Sequence, residues 1–452
     1  MKSNENRIFL MSRKLWCILR HNLVFTLTIQ IIMAVYTLVI RPYLMRTAAT
    51  VNPELIFSGI IFLALVLFLV MFIAVGLFTF FIWIFFRRKR NLTSLILRLR
   101  RLGTWTVTLV INLLILIALS QKMSYTPPIL DNSGKVLEGS IAELSQIDIN
   151  GSKQWITIRG NSTQKPILLF LAGGPGGSQL AATRIELKEL EKHFIVVNWD
   201  QPGSGKSFNA VNKKELTVQR YINDGIELTK YLEKRFNKDK VYVVGESWGS
   251  ALGLFLVKER PELYYGFIGT GQMVNFLETE KMDYELAKKR AKENGDLDVV
   301  EKLNKQGPPP YYGSDVTWKA ASYLMYLSNE MARNPKISNA GYNTFSEVGA
   351  PEYGIYDKIN YFRGVVTTFN HVYPQLYNKD LRNEAVKIDV PVHFLIGRHD
   401  INAPTVLAED YYNKLMAPFK ELVWFEHSGH DPWRNESDKF VQSLINISLK
   451  NK

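Results

Sequence analysis

Two rules of hydrophobic spacing divide this chain. Up to Ser120 the apolar residues come in long unbroken runs, Leu23 to Ile40, Leu55 to Phe86 and Gly103 to Ser120, of 18, 32 and 18 residues without a charge. About 20 such residues cover the ~30 Å hydrocarbon core of a bilayer, so these runs predict three membrane-spanning helices (about 23–40, 55–86 and 103–120) within a membrane region at 1–120. As one helix the middle run would extend ~48 Å at ~1.5 Å per residue, too long to cross untilted and too short to fold back as a hairpin. A cleaved leader is not expected, because the first run begins only after 22 residues and two more follow it.

Past Gln121 the apolar runs shorten. Residues 121–136 are polar, carry Pro127, Pro128 and Gly134, and read as a tether. Ser140 to Ile149 and Gln154 to Arg159 alternate as antiparallel edge strands do. Pro166 to Leu171, Phe194 to Asn198, Val241 to Val244, Phe267 to Gly269 and Val392 to Ile396 are short and continuously apolar, as strands buried on both faces are, and Leu422 to Phe425 would be the last strand. Helical spacing fills the gaps, as in Val218, Tyr221, Ile222, Ile226, Leu232 and Phe236, and a terminal helix is expected from about Ser437 to Leu449. This alternation predicts an α/β fold, a doubly wound, mostly parallel sheet built from residues 137–271 and 388–452. Between 272 and 387 the alternation stops. Charged helical stretches (Glu278 to Asn294, Thr317 to Ala332), separated by Gly307-Pro308-Pro309-Pro310 and other loops, predict a helical cap inserted after the sixth strand.

Charge follows the same division. The first 120 residues hold 14 Lys and Arg against Glu5 and Glu54, so nearly all of the +13 formal charge lies there. Basic charge confined to the flanks of uncharged apolar runs argues for membrane topology and against nucleic-acid binding, which would need that charge on a folded face. Five of these residues precede the first run (Lys2, Arg7, Arg13, Lys14, Arg20), two follow it (Arg41, Arg46), and seven separate the second from the third (Arg87, Arg88, Lys89, Arg90, Arg98, Arg100, Arg101). Positive-inside bias then places the N-terminus in the cytoplasm and everything past Gln121 on the outer face. The lone cysteine, Cys17, excludes disulfides and cysteine metal sites from the remaining two thirds.

The chemistry starts at Lys240 to Leu256. A β-branched run enters Gly245-Glu246-Ser247-Trp248-Gly249 and an apolar helical run leaves it: strand, sharp turn and helix, with a serine at the apex. Such an elbow needs glycines where strand and helix leave no room for side chains. A serine hydroxyl is a weak nucleophile, so it needs a histidine base oriented by a carboxylate. Asp400 follows one predicted strand and His430 the last, both at C-terminal strand ends, where open α/β sheets hold their sites. His427 is a rival base; Gly429, which lets the chain turn just before His430, favours the latter. His399 with Asp400 has no third ligand at a metal-site spacing, so no metal is expected. The oxyanion formed on attack needs preorganised N–H donors. Trp248, after the serine, offers one; the glycine cluster from Gly173 to Gly177, after the third strand, offers another through Gly174, with Gly173 next. No G-K-[ST] or second dinucleotide signature follows that cluster at the required spacing, which argues against a phosphate loop, and no cofactor is expected.

Gly173-Gly174-Pro175-Gly176, Asp200-Gln201-Pro202-Gly203-Ser204-Gly205, Gly245-Glu246-Ser247-Trp248-Gly249-Ser250, Gly397-Arg398-His399-Asp400 and Ser428-Gly429-His430 together resemble the proline iminopeptidase family of α/β-hydrolases, over about residues 135–270 and 388–450. The resemblance implies a Ser247, Asp400, His430 triad with Gly174 and Trp248 as oxyanion donors. The chain departs from the family at Ala172, where a histidine is usual, at Pro202, where an arginine is usual, and in having no Trp-x-x-Trp-Glu motif in the cap, part of which helps hold the substrate's amine. A preference for proline therefore does not follow.

The expected function is a membrane-anchored serine hydrolase acting on small peptides or amides at their N-terminus. An esterase or lipid hydrolase with the same triad, and a non-catalytic binding or sensory module on this fold, are the alternatives. The expected partners are a small peptide, amide or ester substrate and a lipid bilayer, with no nucleic acid. An aminopeptidase must pair the substrate's ammonium with carboxylates, since a desolvated charge without a partner costs several kcal/mol. Glu278 and Glu280, at the start of the first cap helix, are the candidates, although Asn275 three residues before Glu278 forms a capping box that by itself accounts for that glutamate. An ordinary histidine base predicts loss of activity below about pH 6 to 7.

Overall fold

The computed structural model of the protein describes residues 2–40, 53–85, 92–338 and 344–450. Arg41, Arg46, Arg87, Arg88, Lys89 and Arg90, which carry much of the expected orientation, lie outside the described residues, as do the side chains of Lys2, Arg7, Arg13 and Lys14. The chain divides into two units, Met1–Ser124 with Gly354–Tyr356, and Tyr125–Tyr353 with Asp357–Lys452.

The first unit is built from three long helices, α1 (Lys2–Val35, continued by a π turn at Tyr36–Ile40), α2 (Pro53–Phe85) and α3 (Thr93–Lys122). Each contains a segment long and apolar enough to cross a membrane: Leu19–Ile40, Ile56–Phe85 and Thr93–Lys122. Among the described residues they share a small apolar core that includes Met33, Ile61, Leu109 and Leu116. Trp105 sits between Phe25 and Phe68, with ring centroids 4.0 and 5.8 Å away, and Asn22 Nδ2 donates to Thr104 Oγ1 at 2.6 Å. Large apolar side chains such as Phe62, Leu67, Ile73, Leu77 and Phe81 stay exposed, the reverse of what water selects. The third helix starts ten residues before its apolar run. Arg98, Arg100 and Arg101, expected in the preceding loop, therefore stand on its first turns, because straight-chain basic residues are good helix formers and need no loop.

The second unit holds an eight-stranded sheet: β1 (Ile141–Ile149), β2 (Ser152–Gly160), β3 (Ile167–Leu171), β4 (Ile195–Asp200), β5 (Val241–Glu246), β6 (Tyr264–Thr270), β7 (Val392–Gly397) and β8 (Lys420–Phe425). Their order is β1-β2-β4-β3-β5-β6-β7-β8. The β1/β2 and β2/β4 pairs are antiparallel and all others parallel, so the alternating strands do form the antiparallel edge and the continuously apolar ones the buried parallel centre. Successive side chains of a strand point to opposite faces. Ile167, Leu169 and Leu171 accordingly enter one core, under the helices Val218–Phe236 and Trp248–Glu259. Leu168 and Phe170 enter the other, with Phe440 and Leu444 of the terminal helix Ser437–Lys450. Each buried side chain of this size contributes roughly 1.5–3 kcal/mol.

Helices Phe276–Asn294, Leu297–Gln306 and Val316–Arg333, followed by shorter ones, occupy the stretch between β6 and β7. The first shows one half of the expected capping box: the Asn275 side chain accepts the Glu278 N–H at 2.9 Å, while the Glu278 side chain pairs with Arg382, and Gly295 ends the helix in the left-handed region. Tyr284, Leu303, Tyr311, Tyr323 and Leu327 give these helices a core of their own.

Candidate active site

Ser247 joins β5 to the following helix with φ 54° and ψ −121°, a conformation that L-residues avoid. What holds it there is the lack of room on either side. A Cβ on Gly245 would run into the Gly249 carbonyl, and one on Gly249 into the Leu171 carbonyl of β3. The Ser247 N–H donates to Thr270 O of β6 at 3.1 Å, so the strained residue is tied to the neighbouring strand.

The loops after β7 and β8 bring the predicted acid and base together. His430 Nδ1 lies 2.9 Å from Asp400 Oδ2 and 3.0 Å from Oδ1. Asp400 Oδ1 also accepts the N–H groups of Asn402 (3.0 Å) and Ala403 (2.9 Å), which fixes the carboxylate. His427 is elsewhere: it is exposed, with Nδ1 3.2 Å from the Lys336 carbonyl. Burial by itself would push the His430 pKa down. The Asp400 carboxylate, with Asp431 and Glu246 beyond it, outweighs burial and lifts it to about 10. The ordinary histidine value assumed from sequence does not hold, because three carboxyl groups converge on one ring.

At the glycine loop, the Gly173 N–H donates to Glu246 Oε2 at 3.0 Å, so this amide is engaged by the protein itself. Gly174, with φ 125°, lines the same cavities as Ser247. Trp248 is the first residue of its helix, where an N–H has no acceptor within the helix. Gln201, from the Asp-Gln-Pro-Gly stretch, ties elbow to loop: its Oε1 accepts the Trp248 indole N–H at 2.9 Å and its Nε2 donates to the Ala172 carbonyl at 3.2 Å.

Two cavities meet at Gly174, Ser247, Asn402 and His430. One, of about 350 Å³, is also lined by Gln179, Glu246, Met331, Ile337, Tyr361 and Asp431. The other, of about 110 Å³, is lined by Trp248, Met273, Phe276, Phe369, Tyr373 and Glu280. The two glutamates expected to act together are thus separated. Glu278 forms an ion pair with Arg382, itself held by Asp380 and Asp410, and is not among the cavity-lining residues. Glu280 is fully buried, accepting from the Tyr373 hydroxyl at 2.8 Å and from the Tyr323 hydroxyl. About half a helical turn is the cause: residues two apart on a helix face different directions. Burial pushes the Glu280 carboxyl up to about 7, against the pull of its two tyrosines. Asp283, one turn on, is buried with neither carboxyl oxygen hydrogen-bonded, and burial followed by the nearby Glu280 and Asp400 raises it well above the ordinary carboxylate range.

Sequence reasoning passed over Gln201, Glu246, Asp431 and Asp283. The first two stood inside quoted motifs, Glu246 as a variable position of the elbow; the others carried no local signal.

A serine on a strained strand-to-helix turn, with a histidine and an acid delivered by the last two strands of a mostly parallel sheet, defines a class. Residues 166–432 match the family model for the alpha/beta hydrolase fold, and the chain belongs to that family. It is 31% identical over 306 residues, 68% of this chain and 96% of the other, to the "Probable aminopeptidase YbaC" of Bacillus subtilis (strain 168). It is 23% identical over 311 residues, 65% of this chain and 94% of the other, to a proline iminopeptidase of Clostridioides difficile (strain 630). In fold it is similar to the crystal structure of VinJ, with a TM-score of 0.51 at 20% identity over 68% of this chain and 99% of that one. A proline iminopeptidase structure from Mycobacterium smegmatis gives 0.50 at 14% identity, over 68% and 98%. The chain is a hydrolase of this fold, related to aminopeptidases and proline iminopeptidases.

Proposed function

We propose that this protein is a membrane-anchored serine aminopeptidase that removes N-terminal residues from small peptides or amides. Ser247 attacks the carbonyl, His430 takes its proton and later passes it to the leaving amine, Asp400 orients the imidazole, and the Gly174 and Trp248 amides receive the oxyanion. The observation that carries the substrate reading is the smaller cavity, in which Glu280 faces the same space as Ser247. Its 110 Å³ has room for one small residue, whose ammonium Glu280 would neutralise. The larger cavity takes the leaving portion.

An ester substrate is the second reading. Met331, Ala332, Ile337 and Val365 line the larger cavity and would suit an apolar leaving or acyl group. Fluorophosphonate labelling tests the nucleophile: it should modify the parent and not Ser247→Ala. Parallel assays on aminoacyl-arylamides and acyl esters then separate the two substrate classes.

The apolar faces of the three helices support anchoring, and the basic residues of the short loops support a hydrolase domain on the outer face. Protease added to intact cells or protoplasts should cut within 121–136 and spare 87–101. Cleavage at 87–101 with 121–136 protected would place the domain in the cytoplasm.

A further inference from the structure

Two buried carboxyl groups beside the triad have no part in the reaction described so far. Glu246 immediately precedes the nucleophile and Asp431 immediately follows the base. The fold brings them from β5 and from the loop after β8 close enough that each acts on the other's charge, and both line the larger cavity. Glu246 Oε2 accepts from the Gly173 N–H and from Gln179 Nε2, each at 3.0 Å. Its Oε1 stands 3.9 Å from His430 Nε2. The imidazole therefore has a carboxylate on each nitrogen, Asp400 at Nδ1 and Glu246 at Nε2.

We propose that Glu246 is a positioning residue for the hydrolysis: with one oxygen it anchors the Gly173 end of the oxyanion loop, and with the other, aided by Asp431, it holds negative charge against the Nε2 face of His430. This rests on the Ser247–His430–Asp400 reading. That face is the one that takes up the serine proton, so negative charge there stabilises the imidazolium as it forms. The same charge keeps the resting imidazole protonated to higher pH, which moves the working range toward alkali. The groups that face this centre are Asp400 from the loop after β7, Asp431 and Arg434 from the segment after β8, and Asp283 from the first cap helix. Two carboxyl groups in contact cannot both ionise freely, and burial, then Asp431, pushes Glu246 up to about 7. The negative charge facing Nε2 thus fades below neutrality.

The test follows the rate of fluorophosphonate labelling of Ser247 against pH in the full-length, detergent-solubilised protein, which reads activation of the serine without needing the natural substrate. Parent labelling should rise through an alkaline midpoint. Glu246→Gln keeps an acceptor for Gly173 N–H and removes the charge, so its midpoint should fall by about one pH unit or more, the size expected for an opposite charge lost at ~4 Å. Glu246→Ala also loses the anchor, and its alkaline plateau should drop roughly tenfold or more below that of Glu246→Gln, the amide rescuing what the methyl cannot. Should Glu246→Gln fail to accumulate, Asp431→Asn carries the same test, with a midpoint shifted in the same direction. A midpoint equal to the parent's in the variant measured overturns the inference. A parent that is not labelled at any pH overturns the nucleophile reading and this inference with it.

Discussion

Ser247 has a buried glutamate on either side, and the two are alike in environment but not in partners. Glu280, on the cap side, and Glu246, on the sheet side, are both buried, and burial lifts both carboxyls to about 7. Glu246 is held by a backbone amide and a side-chain amide that belong to the framework of the oxyanion loop. Glu280 is held by two tyrosine hydroxyls inside a helical insertion, in a cavity the size of one small residue. A carboxylate tied to scaffold amides can orient a loop; one met only by hydroxyls keeps acceptor capacity for a cation. On the proposed readings, equal burial thus serves a positioning group on one side and a recognition group on the other.

The largest effect should come from removing what both sides share. Ser247→Ala and His430→Ala should each lower turnover by ~10³-fold or more, with thermal unfolding nearly unchanged, while His427→Ala stays close to the parent. Activity in His430→Ala equal to the parent's would make His427 the base. Next comes the cap side alone. A hydrogen bond to a charged group contributes about 1.5–3 kcal/mol, so Glu280→Gln should reduce the preference for a free aminoacyl-arylamide over its N-acetylated form by roughly ten- to a hundredfold. Were the parent to cleave both forms equally well, Glu280 would not read an amine and the ester reading would move to first place. The same variant gives the smallest effect, in stability. Because the folded Glu280 carboxyl titrates near 7 rather than its ordinary 4.5, the folded protein retains a proton between those values that the unfolded chain releases. Stability therefore declines as pH rises through that window and stays lower above it. Glu280→Gln should unfold a few degrees higher than the parent at pH 8 and nearly with it at pH 5. A larger gain at pH 5 than at pH 8 would reverse the sign and show the carboxylate to be paired.

What could be read along the chain was whatever depends on neighbours in sequence. Strands and helices follow from spacing of apolar residues, and all eight strands lie where short apolar or alternating runs stand. Three helices of membrane-spanning length follow from uncharged length alone. The elbow is legible because its glycines and serine are contiguous and its sterics involve the chain's own next turn. Tertiary structure decided what depends on distant segments meeting. His430 rather than His427 reaches Asp400 because the loop after β8 turns at Gly429. Glu280 rather than Glu278 enters the cavity because a helix rotates ~100° per residue and the cap's docking selects the face that is buried. Glu246 and Asp431 are 185 positions apart and meet because β5 and β8 end on the same edge of one parallel sheet. Only that convergence of loops puts a second carboxylate on the histidine, and no periodicity in the sequence encodes it.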